Sequence, residues 1–151
     1  MNIEELSYIV AYWNEGNLKS YLIEITAQIL KHKDKYSGYL VDHILDAAGQ
    51  KGTGKWSVIN AMELGMPLGL IASAVFERSL SAQKELRGEA SSAYHHRERQ
   101  VVFNKQECVM DVHSALYASK ISSYAQGFAT LQQASDTFNW NLNLASIARM
   151  W

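Results

Sequence analysis

A single proline in 151 residues is the feature that most limits what this chain can fold into. Proline breaks a helix because it lacks a backbone N–H and because its ring collides with the preceding turn. Since Pro67 is the only proline and the chain has only nine glycines, long stretches are free to be helical. The spacing of the apolar residues then decides whether helices form.

Apolar residues recur at helical spacing from one end of the chain to the other, and no stretch shows the sustained alternation of a strand. The longest predicted helix, from about Gln106 to Phe138, would span nearly 50 Å at about 1.5 Å per residue. Asn17 is the expected N-cap of the second helix, and Gly88 the expected C′ residue of the fifth. The polar stretch 88–100 is a connection or a weakly held helix. The predicted helical segments are 3–13, 18–29, 41–48, 56–65, 67–88, 106–138 and 142–150.

These patterns predict an all-α fold, a multi-helix domain with one long central helix. A length of 151 residues is that of one domain, so the expected organisation is a single all-helical domain over residues 1–151.

Composition excludes several classes of protein. An apolar share of 48% with 19% charged residues excludes a disordered chain. A net charge of −1 argues against broad electrostatic capture of nucleic acid or of an anionic membrane. No apolar run is long enough to cross a membrane, and two glutamates stand where a signal peptide would carry positive charge. The lone Cys108 excludes an internal disulfide framework and fits a reducing compartment, so the expected location is cytoplasmic.

The loop Gly49-Gln50-Lys51-Gly52-Thr53-Gly54-Lys55-Trp56 is the most informative motif in the sequence. It fits the first seven positions of the P-loop pattern G-x-x-x-x-G-K, but tryptophan stands where a serine or threonine must bind magnesium. The preceding segment 42–46 has a helical pattern, whereas a P-loop follows a β-strand. A nucleotide triphosphatase is therefore not favoured.

The same loop has the chemistry of an anion site. Its glycines permit close backbone approach, Lys51 and Lys55 supply positive charge, and Thr53 supplies a hydroxyl. The helix that begins near Trp56 adds free N–H groups and the positive end of a dipole. The alternative is a solvated interhelical loop with two surface lysines, and composition alone favours neither interpretation.

Charged and metal-binding side chains elsewhere give weaker signals. Glu77 and Arg78 interrupt an otherwise small and apolar helix, and a buried charge there would need a partner or a ligand. An exposed or neighbour-paired couple is the simpler interpretation. His95 and His96 are adjacent, so on a helix they diverge by about 100° and are poorly placed to share one ion. No metal site is predicted.

Several blocks spread over nearly the whole chain share a pattern with one enzyme family. On these blocks the chain resembles the C-terminal helical domain of the 6-phosphogluconate dehydrogenases. It departs from that pattern over the 88–108 connection and at 143–146, where a glycine-containing stretch is usual. The two most specific blocks are AGQKGTGKW at 48–56 and ALYASKISSYAQGF at 115–128, and the others are Trp13-Asn14 with Gly16, residues 20–26, Ala61 and Gly65, Val75-Phe76 with Arg78, Leu80-Ser81, and residues 139–151.

The resemblance implies a reaction and a set of binding residues. The family oxidises 6-phosphogluconate with NADP and decarboxylates it to ribulose 5-phosphate in the pentose phosphate pathway, without a metal. A lysine acts as general base and a glutamate as general acid. By the same resemblance, Lys51, Thr53 and Arg78 would bind the substrate phosphate, and the helical region would form a homodimer.

The resemblance also implies that the remaining machinery lies outside this sequence. No G-x-G-x-x-G fingerprint on a strand is present, so the NADP-binding domain is expected to be absent. The catalytic lysine and glutamate would precede residue 1, and the tail that reaches the partner subunit would follow Trp151. No catalytic residue is therefore assigned, and the chain alone is expected to be inactive. Two interpretations stay open: a substrate-binding, dimerising fragment, which intact Lys51, Thr53 and Arg78 favour, or a stand-alone helical scaffold without ligand function.

Overall fold

The computed structural model describes residues 1–35, 38–94 and 104–150. Within these ranges it contains seven α-helices and one short 3-10 helix, and no strand. The all-α prediction is confirmed, including the long helix, whose 34 residues span about 51 Å. The helices are α1 Ile3–Trp13, α2 Tyr21–Lys31, α3 Thr53–Glu63, α4 Gly69–Ala82, α5 Lys84–Ala93, α6 Lys105–Phe138 and α7 Leu144–Met150, with the 3-10 helix at Leu40–His43.

Two predicted features of the first half are wrong. The helix expected over 41–48 is only the 3-10 helix Leu40–His43, because Ile44 is already extended at φ −79°, ψ 136°. The N-cap of α2 is Ser20 and not Asn17, since the Ser20 hydroxyl accepts the hydrogen bond from the N–H of Ile23. Serine and asparagine are about equal as N-caps, so the choice between them depended on where the helix begins.

The expected C-terminal position of Gly88 is also wrong. Gln83, at φ −87° and ψ 56°, separates α4 from α5, and Gly88 lies inside α5. The break is made by a backbone conformation at a residue that carries no turn signal. The rest of the polar stretch, residues 95–100, lies outside the described residues.

The chain divides into two compact units, of which the first contains residues 1–46 and α6 as far as Lys120. In this unit α1 packs on α2, and the buried Ser7 hydroxyl donates to the carbonyl of Ala27 at 3.3 Å. The ammonium group of Lys120 donates to the carbonyls of Asn17 and Lys19, at 3.0 and 3.2 Å. This lysine therefore closes the turn between α1 and α2.

The second unit contains residues 47–94 and 121–150 among those described, and α3 packs on α4 within it. Its buried apolar residues are Ala61, Leu68 and Ala134. The side-chain carbonyl of Gln126 on α6 accepts the N–H of Leu70 at 3.0 Å and so caps the first turn of α4. These contacts fix α4, the helix against which the glycine- and lysine-rich loop lies.

Candidate functional site

The loop of residues 48–52 precedes α3 and is attached to α4 by its backbone. The N–H of Ala48 donates to the hydroxyl of Ser81 at 3.1 Å. The Arg78 guanidinium donates through Nη2 to the carbonyl of Gly49. Two successive residues of the loop are therefore held by side chains one turn apart on α4.

The side chain of Gln50 makes the next attachment. Its Nε2 donates to the hydroxyl oxygen of Ser79 at 2.6 Å and to the carbonyl of Val75 at 3.3 Å. The Ser79 hydroxyl itself donates to the carbonyl of Val75 at 2.9 Å. Gln50 thus completes a closed triangle of hydrogen bonds on the surface of α4.

The start of α3 presents donors and positive charge. Gly52, its N-cap, has φ +97°, a left-handed conformation that L side chains rarely adopt, and no side chain caps the helix there. The first N–H groups of a helix have no partner within it, and the first turn of α3 contains no acidic residue. Lys51, Thr53 and Lys55 are exposed around this helix end. The arrangement favours an anion.

Gly54 brings α3 close to α4. A Cβ built on Gly54 would lie 2.9 Å from Cγ2 of Val75, closer than real Cβ contacts come. The close approach at Gly54 is to a side chain of α4, and the predicted approach of the loop backbone to an anion stays a prediction. Only glycine permits this spacing without a shift of the Val75 side chain or of one helix.

The structure places the three predicted binding residues in or beside the 48–52 loop. Lys51 lies in the 48–52 loop and Thr53 opens α3, while Arg78 reaches the loop from α4 through Gly49. Arg78 is exposed, so it is not a buried charge in need of a partner. Its bond to Gly49 uses one of the five N–H donors of a guanidinium.

Sequence reasoning missed the residues that hold the loop, namely Gln50, Ser79 and Ser81. Their hydrogen bonds join positions 25 to 33 residues apart, which no local pattern reports. Ser79 and Ser81 are two positions apart on α4, a spacing that does not mark a shared helix face.

The other candidate residues contribute no second site in the described ranges. His95 and His96 lie outside the described residues. Within those described, no group of three His, Cys, Asp or Glu side chains is placed to hold a metal ion. His113 packs its ring against the edge of Trp13, with centroids 5.7 Å apart. No helix among the described residues is both long and apolar enough to cross a membrane.

Similarity to known proteins decides the family. The sequence pattern of one family, 6-phosphogluconate dehydrogenase, C-terminal domain, matches residues 1–151. The chain belongs to the 6-phosphogluconate dehydrogenase family. This confirms the resemblance drawn from the AGQKGTGKW and ALYASKISSYAQGF blocks.

Individual 6-phosphogluconate dehydrogenases agree with this assignment. The decarboxylating enzyme of Caenorhabditis elegans is 48% identical, over all of this chain and 32% of its own length. The NADP(+)-dependent decarboxylating enzyme of Bacillus subtilis is 49% identical, over all of this chain and 33% of its own length. The chain spans about a third of the length of these relatives.

A solved 6-phosphogluconate dehydrogenase has the same fold. The Plasmodium falciparum enzyme superposes on all of this chain with a TM-score of 0.92 and 45% identity, over 33% of its own length. It was described in its apo form, with its cofactor NADP+ and with its substrate 6-phosphogluconate. The helical fold is therefore that of the C-terminal domain of a 6-phosphogluconate dehydrogenase.

Proposed function

We propose that this chain is the C-terminal part of an NADP-dependent, decarboxylating 6-phosphogluconate dehydrogenase, where it binds the phosphate of 6-phosphogluconate. The observation that carries the proposal is the hydrogen bond from Arg78 to the carbonyl of Gly49. It brings a guanidinium on α4 to the same short loop that contains Lys51. Thr53, the first residue of α3, completes the group of side chains.

The chemistry of a phosphate group suits these side chains. A guanidinium donates in a planar fork that matches phosphate oxygens, and an ammonium acts as a compact charge. The Thr53 hydroxyl and the N–H groups at the start of α3 add neutral donors. These residues hold the substrate and do not move protons or hydride, so NADP and the acid–base residues belong to parts of the enzyme beyond this sequence.

The setting of the whole enzyme follows from the same proposal. The enzyme acts in the cytoplasm as a homodimer, and neither nucleic acid nor a membrane is a partner. A single cysteine and a net charge of −1 support the location and the absence of nucleic acid. No metal is needed to bind the phosphate in this proposal, since cations and N–H donors bind it, and the family resemblance implies a reaction without a metal. The helical domain extends over residues 1–151 as one part of that enzyme.

Titration of the 151-residue chain with 6-phosphogluconate, followed by backbone chemical shifts, tests the phosphate site. We expect millimolar affinity that weakens with salt, because a few charge-assisted bonds must offset the entropy of fixing a flexible sugar acid. Lys51→Ala and Arg78→Ala should each weaken binding about tenfold or more, since a hydrogen bond to a charged group contributes about 1.5–3 kcal/mol. Lys84→Ala, an exposed lysine on α5, is the control and should bind as the unaltered chain does.

Two outcomes would contradict the assignment. Shifts that cluster away from residues 49–55 would place the anion elsewhere. If Arg78→Ala instead unfolds the second unit, Arg78 is a structural residue that anchors Gly49, and the scaffold interpretation is favoured.

A further inference from the structure

We propose that Gln50 and Ser79 are a positioning pair that fixes the 48–52 loop, and with it Lys51, before any ligand binds. The inference rests on the proposed function of this loop. Gln50 directly precedes Lys51, and its side chain is bonded to α4 through Ser79 and Val75. Neither residue is assigned to contact the substrate.

The hydrogen bonds among the three residues are compatible only in one direction. The Ser79 hydroxyl proton points to the carbonyl of Val75, which leaves the hydroxyl lone pairs to accept from Gln50. The Gln50 amide then donates one N–H to Ser79 and its other to the carbonyl of Val75. The Gln50 side chain reaches both acceptors, the Ser79 hydroxyl and the Val75 carbonyl, from the loop. The interaction therefore needs a side-chain donor as long as glutamine.

The position of Gln50 in the loop explains why a side chain is needed there. Gly49 precedes Gln50, and Gly52 follows Lys51. Glycine has the greatest backbone freedom of any residue. Arg78 holds Gly49 on one side, but it is also a proposed phosphate ligand. Gln50 and Ser79 hold the loop with neutral side chains that are not proposed to bind the phosphate. A loop ordered in advance loses less entropy on binding.

Amide hydrogen exchange at Ala48 and Trp56, measured on the ligand-free chain, tests the pair without any ligand, because their N–H groups are bonded to the Ser81 hydroxyl and to the carbonyl of Gly52 on either side of Lys51. Gln50→Ala and Ser79→Ala should each speed exchange at these amides about three- to tenfold, the effect of one net hydrogen bond. Ser79→Thr keeps the hydroxyl and should restore slow exchange. Gln50→Ala in the Ser79→Ala background should add less than it does alone, because Ser79→Ala has already removed one of the two hydrogen bonds of Gln50.

The matched control is Ser73→Ala on the same helix. Ser73 makes the same kind of bond to the carbonyl four residues earlier, that of Gly69, but it does not contact the loop. Ser73→Ala should leave exchange at Ala48 and Trp56 unchanged. Unchanged exchange in Gln50→Ala, or equal effects of Ser73→Ala and Ser79→Ala, would overturn the positioning role.

Titration of the same variants with inorganic phosphate separates this inference from the proposed function. If the pair positions the loop, Gln50→Ala and Ser79→Ala should weaken phosphate binding by at most the factor by which they speed exchange, and Ser79→Thr should bind phosphate as the unaltered chain does. If the unaltered chain binds no phosphate at Lys51, the proposed function is wrong, and the exchange data alone then decide whether the pair fixes the loop. Binding that stays unchanged while exchange speeds up would overturn the link between loop order and ligand.

Discussion

Glu5 is the residue with the most consequential charge contact in the first unit. One carboxylate oxygen accepts from the ammonium group of Lys105 at 2.6 Å, and the other accepts from the N–H of Asn2 at 3.0 Å. The hydrogen bond from Lys105, followed by that from Asn2, lowers the pKa of Glu5 below its ordinary value of 4.5. A single side chain therefore caps α1 and joins it to the first turn of α6.

The lowered pKa predicts how stability depends on pH. A carboxyl whose pKa is lower in the folded state stabilises fully above its unfolded pKa and loses that effect as the pH falls through the folded value. Glu5→Gln keeps an acceptor for Asn2 and removes the charge. It should lower the urea midpoint at about pH 7, with a difference that shrinks toward about pH 3.

Glu4→Gln is the control for this prediction, since Glu4 is the exposed neighbour on the same helix. It should change the midpoint less at neutral pH. A Glu5→Gln deficit that is equal at both pH values would show that the ion pair with Lys105 does not contribute.

At the scale of elements, the contact of α3 with α4 controls the geometry of the site. Gly54 admits the side chain of Val75, and the same face of α4 holds the 48–52 loop. Any change that separates the two helices therefore strains the 48–52 loop, because the loop is bonded to α4 and runs directly into α3.

Gly54→Ala should show this effect as a loss of stability. Overpacking against Val75 costs about 1–3 kcal/mol, while alanine gains about 1 kcal/mol of helix propensity over glycine. The net free energy of unfolding should fall by up to about 2 kcal/mol in urea titrations. Gly88→Ala in α5 is the control, because nothing lies within 4 Å of its Cβ, and it should stabilise by about 0.5–1 kcal/mol. Equal effects of the two would mean that Val75 moves away freely.

Elements with regular apolar spacing could be predicted from the sequence, and α1 and α6 begin and end within a residue of their predicted positions. The break at Gln83 could not, since neither glycine nor proline marks it. The short 3-10 helix at Leu40–His43 was predicted too long, because apolar residues at 41–48 match the helical period without forming a helix. The spacing of apolar residues indicates that a helix can form, but tertiary packing decides where each helix ends.

The candidate site could likewise be predicted only in part from the sequence. Lys51 and Thr53 could be proposed from the chemistry of their loop, and Arg78 from the family resemblance. The hydrogen bond of Arg78 to Gly49 and the triangle made by Gln50 could not be predicted. They depend on how α3 packs on α4, which the order of residues does not state.

At the scale of the whole chain, many large apolar side chains lie on the surface of each unit. Tyr12 is 74% exposed in the first unit, and Phe76 and Trp56 are 65% and 59% exposed in the second. Apolar surface of this extent is typical of proteins that associate. It supports the proposed homodimer.

Sedimentation velocity at micromolar concentration tests this association. We expect a dimer or a larger species, and because apolar contacts are not screened by salt, it should persist at high NaCl. A single monomeric boundary across the concentration range would contradict it. Dissociation by NaCl alone would show that ionic contacts, and not the exposed aromatic surface, hold the copies together.

Two lysines in the part of α6 that belongs to the first unit have a consequence for the order of folding during synthesis. Lys105 meets Glu5 and Lys120 meets Asn17 across separations of 100 and 103 residues. At a ribosome rate of about 5–20 residues per second, these anchors emerge about 5–20 s after the residues that they bind. If the hairpin of α1 and α2 forms as soon as it emerges, it is without these two contacts for seconds. A nascent chain stalled before Lys105 would present that hairpin in its least protected form.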